Sequence, residues 1–224
     1  MSALICIITS RSLVSEAVPF FTGESAPVII VANSQVKHAH ASGAYPIRVA
    51  ECREALLVFQ KRFGAERVSS LRDVKMEMLE ECGDSLSLAA FHRALHVVTE
   101  NRRTMLTVEA LKTQNFIEVG ELLTLSHASL RDNFEVSCEE IDTLVDIAMK
   151  VKGVYGSRLT GGGFGGCTIT LVDKSAVHEL AQRLQEGFRS VFLKECVVYP
   201  PMTPSEVCGN LSPTWHHVSL AEIE

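Results

Sequence analysis

No run of apolar residues in this 224-residue chain approaches the roughly 18 needed to cross a bilayer, so a membrane is not an expected partner. The opening stretch Met1-Ser-Ala-Leu-Ile-Cys-Ile-Ile-Thr9 is apolar but short. It has no basic segment ahead of it and soon meets Arg11, which argues against a secretory signal. Positive charge is also in short supply, with 21 Lys+Arg against 27 Asp+Glu for a net charge of −6. A reader of phosphate backbones needs a basic face, so nucleic acid is not an expected partner. No Cys-x-x-Cys pair occurs, and the seven cysteines (6, 52, 82, 138, 167, 196, 208) form an odd set, several lying among apolar residues. That pattern predicts reduced, buried thiols in a cytoplasmic protein, with no disulfide framework and no metal site. No internal repeat is visible. With 46% hydrophobic and 21% charged residues, the composition is that of a globular chain rather than a disordered one.

The chain alternates between two periodicities. Residues 3–9 and 27–32 are short and β-branched and predict strands. Pro46 fits the first turn of a helix that runs to about Phe63 and stops at Gly64. Helices are predicted over 86–112 and 116–130. Ser137-Cys-Glu-Glu140 reads as a capping box, followed by a helical stripe of Ile141, Leu144, Val145, Ala148 and Met149. Past Gly153 come a strand over 154–160, a loop over 161–166 and an alternating strand over 167–172. A last stripe joins Val177, Leu180, Ala181, Leu184, Phe188, Val191 and Phe192. The prolines at 200, 201, 204 and 213 predict an irregular tail. The class is α+β with helices dominating.

Gly161-Gly-Gly-Phe-Gly-Gly166 is the densest signal. It satisfies G-x-G-x-x-G, but a dinucleotide site needs the loop to open into a helix, and here a strand follows. It also has Walker A spacing, but Cys167 stands where the lysine belongs. Two readings survive. Five glycines in six positions let backbone N–H groups converge on a phosphate or a close backbone neighbour; alternatively, the loop is simply a tight hairpin with a bulge.

The residues around this loop resemble a known family. Gly156-Ser-Arg-Leu-Thr-Gly-Gly-Gly-Phe-Gly-Gly-Cys-Thr168 is similar to the third conserved motif of galactokinases, members of the GHMP kinases. Ser129-Leu-Arg-Asp-Asn-Phe-Glu-Val-Ser-Cys138, with Asp142 and Leu144, resembles the galactokinase segment leading to it. Asn33-Ser-Gln-Val-Lys-His38, Tyr45-Pro46, Arg53 and Glu54 resemble the segment that joins the two halves of such an enzyme. Phe164 and the Tyr45-Pro46 context favour galactokinase over N-acetylgalactosamine kinase.

The resemblance implies the C-terminal half of a kinase that transfers the γ-phosphate of ATP, with Mg²⁺, to the anomeric hydroxyl of galactose. It implies a GHMP-type C-terminal domain over 46–195, built from an antiparallel sheet and several helices. Residues 1–45 would be remnant strands of the N-terminal domain with a connecting segment, and 196–224 an irregular, divergent tail. By the same resemblance Tyr45 contacts the sugar, and Thr160, Gly161, Gly162, Gly163, Phe164, Gly165 and Gly166 form an active-site loop. No catalytic residue is expected, because the family's acidic-His-Asp cluster, its triphosphate loop and its aspartate segment have no counterparts here. The chain is therefore expected to be inactive alone; the alternative is a non-catalytic, galactokinase-like sensor or partner-binding protein. Strands 3–9 and 27–32 would be left with unpaired edges, poorly supported and open to self-association.

Other residues read as structural. His92 and His96 lie one helical turn apart without a third ligand and are expected to be surface or core histidines. His38 and His40 share that expectation, and His216-His217 are expected in solvent. Arg102-Arg103 reads as a solvated face, and Asp132 and Asp142 as single carboxylates without a visible partner.

Overall fold

The computed structural model describes residues 3–9, 14–20, 26–37 and 41–201. Along the chain come strands β1 (Ala3–Thr9), β2 (Val14–Phe20) and β3 (Val28–Lys37), then helices α1 (Ala41–Phe63), α2 (Met76–Cys82), α3 (Leu88–Lys112), α4 (Phe116–Asp132) and α5 (Glu139–Met149). Strands β4 (Val154–Thr160) and β5 (Gly165–Val172), helix α6 (Val177–Phe192) and strand β6 (Val197–Tyr199) complete it. The expected α+β class holds: among the described residues, six helices accompany a four-stranded antiparallel sheet and a separate two-stranded one.

The large sheet runs β4-β5-β3-β6. Its alternation assigns successive residues to opposite faces. Ile30, Ala32 and Val172 pack on one side against Leu144, Ala148, Leu180, Leu184 and Phe188 of α5 and α6. Ile29 and Leu171 pack on the other side with Val108, Leu111 and Val119 of α3 and α4. A separate cluster around Ala55, Phe59, Leu79, Ala90 and Ala94 joins α1, α2 and α3. Met149 and Val191, read as stripe residues, are exposed, while Phe192 extends the buried face of α6 one turn past Phe188.

The sheet corrects the expectation of an unpaired strand at 27–32. Strand β3 bonds to β5 from Val28↔Val172 to Lys37↔Gly165, and to β6 from Val31↔Tyr199 to Asn33↔Val197. β3 is thus paired along β5 and, over Val31–Asn33, on its other edge as well, and this pairing joins residues on either side of 45 and of 195. β1 and β2 pair only with each other among the described residues. Strand β2 and helix α2 escape the sequence pattern: Glu16 and Pro19 interrupt the β2 run, and α2 is only two turns long.

Two local corrections concern helix starts. Helix α1 begins at Ala41, which places Pro46 inside it rather than in its first turn. A proline there has no N–H to offer the carbonyl four residues back. Helix α5 begins at Glu139 with Cys138 as its N-cap and no side-chain cap bond. Ser137, one residue too early to cap, donates its hydroxyl to Asp142 Oδ1 at 2.5 Å instead. Past residue 201 the tail, with His216-His217, lies outside the described residues, as do His38 and His40.

Helix α4 lies against β4 at backbone contact. A Cβ on Gly156 would sit 1.9 Å from the Gly120 carbonyl oxygen, and one on Gly120 would sit 2.1 Å from that of Tyr155. No side chain fits between these main chains. Gly162, by contrast, has ordinary φ and no atom within 4 Å of a Cβ. Gly156→Ala is expected to cost about 1–3 kcal/mol or more by overpacking, and Gly162→Ala to stay within about 0.5 kcal/mol, both read from urea unfolding midpoints.

Candidate functional site

The glycine loop leaves β4 at Thr160 and returns as β5 at Gly165. Its path is left-handed: Gly161, Gly163, Gly165 and Gly166 have φ between +85° and +120°, and Phe164 has φ +58°. The six residues divide by what they face. Gly163 and Phe164 point inward. The Phe164 N–H donates to the Val136 carbonyl at 2.7 Å, and a Cβ on Gly163 would sit 2.4 Å from that same oxygen. The Phe164 ring packs with Leu130, Val136, Ile141 and Leu159. Gly161, Gly162 and Gly166 face the other way, each with open space where a Cβ would stand. The hairpin reading accounts for the inner half of the loop. It leaves Gly162 unexplained, since neither backbone strain nor packing in this chain requires glycine there.

Strand β3 supports the loop from below. A bulge at Gln35, φ +57°, separates the Asn33↔Cys167 and Lys37↔Gly165 pairs. Within it the Ser34 hydroxyl donates to the Gly166 carbonyl at 2.9 Å and accepts the Val36 N–H at 3.2 Å. The Asn33-Ser-Gln-Val-Lys segment, singled out from sequence, thus lies against the loop.

Tyr45 is placed on α1 and is about half exposed, 48%. One turn later, Arg48 leads to a charge cluster that runs from the buried Arg93 to the half-exposed Glu135. Arg48 bonds Glu51 Oε2 at 2.8 Å and Glu135 Oε2 at 3.0 Å. Arg93, on α3 and 1% exposed, reaches the same two carboxylates at 2.7 and 2.9 Å and also donates to the Asn133 carbonyl. Burial alone would raise the Glu51 pKa, but hydrogen bonds from Arg93 and Arg48 outweigh it and hold the carboxyl below its ordinary range. Burial likewise opposes the Arg93 charge, and the bonds to Glu51 and Glu135 more than restore it. These contacts hold Glu135 at φ +53°, a conformation that costs a non-glycine residue about 1 kcal/mol or more. The next residue, Val136, is the one that receives Phe164. The Tyr45 helix and the glycine loop therefore anchor on adjacent residues of one turn.

Sequence reading missed this cluster. Arg48 and Glu51 stand at i,i+3, a spacing common on solvated helices, and Arg93 is a single cation in an otherwise mixed helix, so neither signals burial. It also missed His127. That ring accepts the Leu159 N–H on Nδ1 at 3.3 Å and brings Nε2 to 3.2 Å from Asp142 Oδ1. Asp142 and Asp132 do have partners: Ser137 and His127 for the first, Arg131 at 2.8 Å for the second. His96 is a core histidine, stacked on Phe134 at 4.4 Å and 2.9 Å from Ser129 Oγ, with burial pushing its pKa down to about 4. His92 is half-buried. Arg103, read as part of a solvated face, pairs with Glu100. Cys52, Cys82, Cys138, Cys167 and Cys196 are free thiols, and burial pushes Cys52, Cys138 and Cys196 up to about 11. Among the described residues no three His, Cys, Asp or Glu side chains are placed to hold a metal ion, and no helix is long and apolar enough to cross a membrane.

The fold that carries this loop is the C-terminal fold of the GHMP kinases, and the GHMP kinases C terminal model matches residues 107–190. Within that class the chain is similar to the C-terminal part of galactokinases. It is 43% identical to galactokinase of Homo sapiens over 182 residues, which are 81% of this chain and 44% of the human protein. It is 42% identical to galactokinase of Thermotoga neapolitana over 164 residues, 73% of this chain and 44% of that protein. The crystal structure of Lactococcus lactis galactokinase complexed with galactose superposes with a TM-score of 0.82 at 33% identity, covering 90% of this chain and 51% of that one. The chain thus spans about half the length of the curated relatives it matches.

Arg93 is the fully buried member of the cluster, and removing it leaves the largely buried Glu51 with Arg48 alone. Arg93→Met is expected to destabilise the chain by about 3 kcal/mol at pH 7, with part recovered by adding Glu51→Gln. Because the folded Glu51 pKa is depressed, the stability it contributes is present above the unfolded value of about 4.3. It is lost as pH falls through the folded pKa. The gap between wild type and Arg93→Met should therefore shrink on acidification, as read from urea denaturation at a series of pH values.

Proposed function

We propose that this chain supplies the C-terminal half of a galactokinase-type active site, in which ATP phosphorylates the anomeric hydroxyl of galactose in the cytoplasm. The observation that carries the reading is Gly162. Its backbone has no internal need for glycine and faces open space beside Gly161 and Gly166. That outward face suits close approach by a phosphate or by the loop that carries it. Tyr45, half exposed on the helix tied to the same turn, is assigned to the sugar. Thr160, Gly161, Gly162, Gly163, Phe164, Gly165 and Gly166 are assigned to the loop that closes on the phosphates.

Phosphoryl transfer of this kind depends on positioning and on stabilising charge. The glycine face and Tyr45 supply positioning. Magnesium, which the reaction uses, finds no group of three His, Cys, Asp or Glu side chains placed to hold it among the described residues. A general base alone contributes about 10²–10⁴ in rate, and nothing in the described cluster of Arg48, Glu51, Arg93 and Glu135 is free to act as one, since each carboxylate is bonded to both arginines. The 224-residue polypeptide alone is accordingly proposed to be inactive. The outer edges of β1 and β2, unpaired among the described residues, are the proposed route to self-association.

A coupled assay of the chain alone should show no galactose-dependent ADP release. Joining the N-terminal half of a galactokinase ahead of β1 should give turnover. In that chimera Gly162→Val should lower kcat/KM by about tenfold or more while leaving the melting temperature in place. A chimera that folds without turnover, or a Gly162→Val form with full activity, contradicts the proposal. Stabilisation of the chain alone by galactose or Mg-ATP in a thermal-shift titration would favour a sensor instead.

A further inference from the structure

A cavity of about 260 Å³ lies between α3, α4 and the sheet face they cover. Its walls are apolar, formed by Ile29, Val108, Leu111, Val119, Leu123 and Leu171 among others. At one end stand Glu100, Arg103, Arg158 and Ser126. Two guanidiniums meet one carboxylate there. Glu100 is already engaged, accepting from Arg103 and from the Ser126 hydroxyl at 2.5 Å. Arg103 also bonds Thr99 Oγ1 at 2.7 Å. Arg158 gives its Nε–H to the Leu159 carbonyl at 2.8 Å, while its nearest carboxylate oxygen, on Glu100, is 3.9 Å away. Its terminal nitrogens have no hydrogen-bond acceptor among the described residues. His96, the other titratable group near Glu100, is held neutral by burial. The polar end therefore carries one positive charge in excess, next to hydrocarbon.

We propose that this cavity binds a small apolar molecule bearing a single carboxylate, its hydrocarbon against α3, α4 and β5 and its carboxylate on the Arg158 guanidinium. The chemistry follows from the two ends. A planar guanidinium with free parallel N–H groups matches a carboxylate in bidentate geometry. Apolar walls reward burial of hydrocarbon and offer nothing to a sugar's hydroxyl groups. Size sets the class further. An apolar cavity of about 150 Å³ holds benzene, so this one has room for a two-ring arene or a chain of about eight carbons. The site is separate from the glycine loop and from Tyr45, and none of its lining residues belongs to either.

The test uses the full chain with three probes of one shape: 2-naphthoate, 2-naphthalenemethanol and 2-naphthylmethylammonium. Calorimetric titration should show saturable binding of the naphthoate, about tenfold weaker binding of the alcohol and none of the ammonium. Arg158→Gln should abolish the preference for naphthoate over the alcohol while leaving alcohol binding in place. Thr107→Phe, which fills the cavity from its rim, should abolish binding of both; the circular dichroism and melting temperature of each variant verify folding. Equal affinity for naphthoate and alcohol in the wild type, naphthoate binding unchanged by Thr107→Phe, or no binding of any probe up to millimolar concentration would each overturn the proposal.

Discussion

The turn at residues 133–136, between α4 and α5, is the constraint on which the candidate site depends. On one side Arg93 and Arg48 hold Asn133 and Glu135; on the other the Val136 carbonyl holds Phe164. Neither attachment is available to an isolated segment. The salt bridges need α1 and α3 packed side by side, and the main-chain bond needs β4 and β5 in register. The left-handed Glu135 is tolerated because two guanidiniums, those of Arg48 and Arg93, over-determine it. The geometry of the loop is thus a property of the assembled domain, transmitted through one short connection.

The same loop shows how glycine density serves two ends at once. Gly163 makes room for a carbonyl from within, and Gly162 leaves room outside. Counting glycines does not separate these roles, whereas asking what a Cβ would meet does. Gly120 and Gly156 answer a third need, letting α4 lie on β4 at main-chain distance, which brings His127 of α4 under Leu159 at the end of the strand that feeds the loop.

Burial of charge runs through the structure and has more than one purpose. The cluster around Arg93 is balanced, two guanidiniums against two carboxylates, and acts as a clamp. The group around Glu100 is not balanced, and its surplus sits beside a cavity rather than a packed core. Breaking the balanced cluster is costly at Arg93, the one member buried from water, whereas Glu135 is half exposed. An unbalanced one beside open hydrocarbon is better suited to receiving a counter-charge than to holding elements together.

Local chemistry settled a good deal of this protein. The period change after Gly153, the strand at 154–160, the stripe from Leu180 to Phe188 and the glycine loop were legible because each depends on spacing within a few residues. So was the galactokinase resemblance, carried by contiguous motifs. The partners of each segment were not legible. That β3 sits between β5 and β6, that Arg93 is buried, and that Arg103 and Asp142 are paired all depend on residues far away in the chain. A side chain's exposure and pairing are set by what folds against it, and only the tertiary structure supplies that neighbour.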